Sequence, residues 1–67
     1  MDARVEHLFR LREEFQLEVD PLVKRALHRK LLAEVKAFLN ANGLHLSAHD
    51  FIAATTDVYR NWKKNPH

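Results

Sequence analysis

Cysteine is absent from this chain of 67 residues, glycine occurs once and proline twice. The missing thiols exclude disulfides, thiolate metal sites and a cysteine nucleophile together, so packing alone must hold the fold. Their absence also fits a reducing cytoplasm, the compartment expected here. A single glycine, Gly43, leaves no glycine-rich loop to cradle a phosphate. Ser47 is the only serine, and it sits where a helix cap is wanted rather than in a nucleophile motif. No apolar run approaches the length of a signal-peptide core or a membrane span, and Met1-Asp2-Ala3-Arg4 leads straight into charge. A soluble intracellular chain with no membrane partner is therefore expected. No segment alternates long enough to read as a strand, and neither repeats nor low-complexity tracts occur.

The scarce breakers are themselves informative, because Pro21, Gly43 and Pro66 cut the sequence into three segments, each opened by a capping residue. Asp20-Pro21 reads as an N-cap followed by proline at the first helical position, where a missing N–H costs nothing. Gly43 reads as the left-handed residue of a Schellman ending that sets Leu44 against Leu39. Ser47-Ala48-His49-Asp50 is a capping box, and Leu46 with Phe51 has the spacing of a hydrophobic staple. Lys63 and Lys64 complement the last helix's dipole, and Pro66 bars its extension. The expected fold is all-α: one domain over residues 1–67, a compact three-helix bundle with helices at 3–18, 21–42 and 48–64.

Apolar periodicity fills in the core. Val5, Leu8, Leu11 and Phe15 form one stripe, Leu27, Leu31, Val35 and Phe38 lie on the broad apolar face of the middle helix, and Phe51, Val58 and Trp62 continue the third. The breadth of the middle face suits a helix that touches both others. Phe9, Leu17, Leu32 and Leu44 are apolar residues beyond what a minimal core needs, and they are the candidate oligomer interface. A domain this small buries only roughly 60% of its unfolded surface, which a partner subunit would supplement.

Net charge is only +2, yet it is unevenly placed. Residues 1–20 carry Asp2, Glu6, Glu13, Glu14, Glu18 and Asp20 against Arg4, Arg10 and Arg12, whereas residues 21–42 carry Lys24, Arg25, Arg29, Lys30 and Lys36 against Glu34 alone. Attraction between an acidic first helix and a basic second one accounts for this most simply. Arg25, Arg29 and Lys36 nevertheless fall on one strip, with Lys30 beside it, and such a strip can neutralise phosphates. Tyr59, Arg60 and Lys64 add an aromatic and basic end, suited to base stacking or an interface rim. These seven residues are the candidate partner or nucleic-acid surface. A helix-turn-helix reading fits the segment order, but His49, Asp50, Thr56 and Asp57 would bring two carboxylates to the groove.

Chemistry is otherwise thin. His45 and His49 have the spacing of a metal pair, but the Ser47 cap falls between them and His45 is not followed by the glutamate of a zinc-protease motif. His28, at the edge of the apolar face, reads as a partly buried structural residue. Glu13 and Glu14 are adjacent and face different directions. No catalytic residue, cofactor, metal or small-molecule substrate is expected. The leading reading is a small regulatory or adaptor protein that binds another protein or itself, and the alternative is nucleic-acid binding through the basic middle helix.

Overall fold

A computed structural model describes residues 2–65, so Pro66, read above as the terminator, lies outside the described residues. These residues form four helices and no strand: α1 (Ala3–Leu17), α2 (Pro21–Ala41), α3 (Ala48–Ala54) and α4 (Thr56–Lys64). The all-α expectation holds, and the third predicted helix is two.

The caps formed as their chemistry requires. The Asp2 carboxylate accepts from the Arg4 N–H at 2.8 Å, and the Asp20 carboxylate accepts from the Leu22 and Val23 N–H groups at 2.9 and 3.4 Å. Gly43 has φ +66°, its N–H reaching the Asn40 carbonyl at 3.2 Å while the Leu44 N–H reaches that of Leu39 at 2.9 Å. Those two bonds are the Schellman pair, and they satisfy carbonyls that α2 would otherwise leave open. The Ser47 hydroxyl accepts from the Asp50 N–H at 3.1 Å. Among the described residues no bond returns from the Asp50 carboxylate, so only half of the capping box is made. Leu44 and Leu46 remain partly exposed, at 44% and 39%.

The helix break has a local cause. Thr55 Oγ1 donates to the Phe51 carbonyl at 2.8 Å and Thr56 Oγ1 to that of Ile52 at 3.0 Å. Consecutive threonines that bond back in this way bend a helix, and here Thr55 takes φ −99°, ψ 8° between α3 and α4. Arg12 reaches across from α1 to both hydroxyls, at 3.4 and 3.0 Å.

Two apolar clusters result instead of one stripe. Leu8 and Leu11 of α1 pack with Leu31, Val35 and Leu39 of α2, and Phe38, Ala48, Phe51 and Ile52 close over them. Phe9 packs with Tyr59 and Trp62 of α4, with Val5 at its side. α2 touches α1 and α3 as its broad face implied. It is α1 that carries α4.

This arrangement corrects two expected surface residues. Phe9, assigned to an oligomer interface, and Tyr59, assigned to a partner surface, are each only 2% exposed. Their rings lie 5.5 Å apart in a tilted contact, with Trp62 at 5.8 Å from Phe9. Val58, assigned to the core, is 49% exposed, because the Thr55 turn shifts the register and brings Tyr59 inward in its place. Phe15, Leu27, Phe38 and Phe51 are half-buried, and Leu39 joins the core.

Candidate interaction surfaces

The end of α1, the start of α2 and the turn between them carry the most exposed of the large apolar side chains among the described residues. Within seven consecutive residues, Leu17 is 72%, Val19 91% and Leu22 74% exposed, with Val23 beside them also in solvent. Burying a side chain of this size contributes roughly 1.5–3 kcal/mol, so all four in solvent represent a large unused driving force. The backbone of this tip is hydrogen-bonded within the turn. Glu18 Oε1 accepts from both the Val19 and Asp20 N–H groups at 3.1 Å, and Asp20 caps α2. The backbone of the turn is thus satisfied by its own acidic side chains, and the apolar ones are left pointing outward.

Leu17 alone among the expected interface residues belongs to this tip. Leu32 is half-buried, and Leu44 lies past the other end of α2. A helix of 21 residues spans about 32 Å, so Leu17 and Leu44 cannot share one small contact.

The basic residues stand apart from the acids expected to balance them. Arg25, Arg29, Lys30 and Lys36 are exposed, and among the described residues none makes an ion pair. Lys24 instead lies 5.2 Å from the Phe15 ring centre. One hydrogen bond between side chains joins α1 to α2 among the described residues, between His7 Nε2 and Glu34 Oε2 at 3.1 Å, and it places the base on α1 and the acid on α2. Glu13 and Glu14 likewise have no ion-pair partner among the described residues. Arg60 makes a long contact of 3.8 Å to Asp57, and Lys64 is exposed.

Tyr59 is part of a partly buried polar junction that periodicity does not reveal. Its hydroxyl donates to Gln16 Oε1 at 2.9 Å, which also accepts from Lys63 Nζ at 3.2 Å. Arg12 is 8% exposed, and its guanidinium lies 4.4 Å from the Tyr59 ring centre, with the Lys63 ammonium at 5.2 Å. Burial holds the Arg12 pKa below its ordinary value, and burial together with the nearby Glu13 charge raises that of Tyr59. Among the described residues no carboxylate pairs with Arg12; hydroxyl oxygens and an aromatic face take that place. The available signal was the spacing Val5, Phe9, Arg12, Gln16, a second helical stripe concealed because two of its members are polar.

No family model, curated protein or solved structure matches this chain. Its functional reading therefore rests on these surfaces. His28 stacks on Phe15 with ring centres 5.1 Å apart and meets the His49 ring edge-on at 6.3 Å, a packing role in keeping with its position. Among the described residues no three histidine, aspartate or glutamate side chains gather as a metal would need, and no helix is long and apolar enough to cross a membrane. An open groove of about 340 Å³ runs between the start of α1 and the end of α2, lined by Ala3, His7, Leu8, Glu34, Ala37 and Phe38.

Proposed function

We propose that this protein is a binding module that acts by docking onto another polypeptide through the α1–α2 tip. The observation that carries the reading is the exposure of Leu17, Val19, Leu22 and Val23 on a turn whose backbone is tied down by its own side chains. A preordered apolar projection loses little entropy on binding, and that favours recognition over solvation. No enzymatic role is proposed. The test is affinity capture from an extract of the producing cells, using the whole chain and its Leu17→Glu, Leu22→Glu double variant as baits. Proteins retained by the first and lost by the second support the reading. Identical retention by both refutes it.

A second reading is favoured by Arg25, Arg29, Lys30 and Lys36, which make no ion pair among the described residues and could meet phosphates. Such binding falls steeply as salt rises, by roughly one power of the salt concentration per phosphate contacted. If the chain leaves duplex DNA and RNA unbound at low salt, or binds with no salt dependence, this second reading fails.

A further inference from the structure

The charges that flank the apolar tip oppose the helix dipoles they sit on. α1 closes with Glu14 in its last turn and Glu18 at its C-cap, with no basic residue there, although the negative end of a helix dipole favours cations. α2 opens with Lys24 and then Arg25, and beyond its Asp20 cap its first turn holds no acid, although the positive end favours anions. Both helix ends are therefore less stable than the reverse arrangement would make them. Glu14 and Arg25 are exposed and make no ion pair among the described residues, so neither is neutralised within the chain. Glu18 is engaged with the turn backbone.

We infer that the partner of this tip is a second copy of the same chain, related by a two-fold axis normal to the plane of the α1–α2 hairpin. This rests on the proposed docking role of the tip, and it names the occupant. That axis sets the C-terminal end of α1 in one copy against the N-terminal end of α2 in the other, twice. The exposed Glu14 of each copy then lies on the side of the exposed Arg25 of the other, and the exposed Leu17, Val19, Leu22 and Val23 of the two copies meet at the centre, where the Glu18 and Asp20 carboxylates stay hydrogen-bonded to their own turn backbone. A surface carrying both signs about an apolar centre is self-complementary, which is what an isologous contact requires. The other tip-to-tip two-fold, lying across the two helices in the hairpin plane, would set acid against acid. A standard contact covers roughly 800 Å² per partner. This chain exposes 4867 Å² in all, so about a sixth of the surface would be involved.

The experiment is sedimentation equilibrium of the whole chain over a concentration series up to about 1 mM, with circular dichroism as the check on folding. The wild-type chain should show concentration-dependent mass approaching that of a dimer. Leu22→Glu should weaken association by about tenfold or more with helix content unchanged. Glu14→Lys and Arg25→Glu should each weaken it at low salt. An equimolar mixture of those two variants should associate more tightly than either alone. In the mixed dimer the two-fold sets the introduced lysine against the introduced glutamate at one end, and the native Glu14 against the native Arg25 at the other. A chain that stays monomeric throughout overturns the second copy as occupant, while the capture experiment still decides the docking role. Association that is indifferent to Leu22→Glu, or variants whose mixture gains nothing over its components, overturns the tip or the two-fold respectively.

Discussion

Replacing Gly43 isolates one physical term in this fold. A Cβ added at this position would meet nothing within 4 Å, so no substitution of modest size is penalised by crowding. What remains is the backbone, because φ is +66° and the bonds from the Gly43 and Leu44 N–H groups hold it there. An L-residue in this region costs about 1–2 kcal/mol. Loss of glycine's freedom in the unfolded chain returns about 0.4–1 kcal/mol. Gly43→Ala should therefore destabilise by about 1 kcal/mol, and a domain of this size loses about 4–8 °C in melting temperature per kcal/mol. Gly43→Val, with a β-branched side chain at positive φ, should cost about 2–3 kcal/mol. Gly43→Asn should cost less than alanine, since asparagine tolerates the left-handed region. D-alanine placed there by chemical synthesis fits positive φ and should raise stability by about 0.4–1 kcal/mol through the unfolded state alone. Urea and thermal unfolding followed by circular dichroism give the order D-alanine, glycine, asparagine, alanine, valine. An unchanged melting point for the valine variant, or D-alanine falling below L-alanine, would refute the reasoning.

Arg12→Met should change stability by no more than about 1 kcal/mol, because relief of a desolvated charge offsets the lost contact with Tyr59 and both threonine hydroxyls keep their backbone acceptors. Arg12→Ala should cost about 2–3 kcal/mol through lost packing, and denaturant midpoints distinguish the two. Phe9→Ala should cost about 3–5 kcal/mol, against a total of roughly 3–10 for a chain this long, whereas Val58→Ala should stay within about 0.5; the reverse order in thermal melts would place the core where periodicity alone put it. Tyr59 is the single tyrosine, so ultraviolet titration reads it directly. Its raised pKa means that the unfolded chain loses the proton first, so stability is fully present below the ordinary value of 10.0 and declines as pH rises past it. Coincident titration curves in buffer and in urea would contradict its burial.

Where the sequence was legible, a single residue type had one physical solution. Asp2, Asp20, Ser47 and Gly43 took the caps their chemistry dictates, and helix starts followed within a residue. The Thr55 break was not legible from periodicity, since Phe51, Val58 and Trp62 form an acceptable helical stripe on their own. What breaks it is the back-bonding of the Thr55 and Thr56 hydroxyls to the Phe51 and Ile52 carbonyls, which apolar spacing does not report, and Arg12 of α1 donates to both hydroxyls. The same event hid the Phe9 and Tyr59 cluster, whose stripe on α1 runs through a charged residue that pattern rules assign to solvent. On the surface, uneven charge was visible from composition, and its lack of intramolecular pairing was not. The expected attraction between α1 and α2 failed to form ion pairs because Lys24 turned to Phe15 and Glu18 to the turn backbone.

Leu8 and Phe9 are neighbours in sequence that point into different apolar clusters, so α1 is the shared wall of two clusters of unequal size. The unit containing α4 rests on three aromatic rings with Val5 beside them, and its removal leaves the Leu8, Leu11, Leu31, Val35, Leu39 cluster whole. Native-state amide exchange should then release α4 at a lower free energy than the middle of α2, as a sub-global opening rather than end fraying. Such an opening would bare Phe9 and Arg12 while leaving the hairpin tip intact. The chain would thus lose its last helix and keep the exposed Leu17, Val19 and Leu22 of the proposed docking tip.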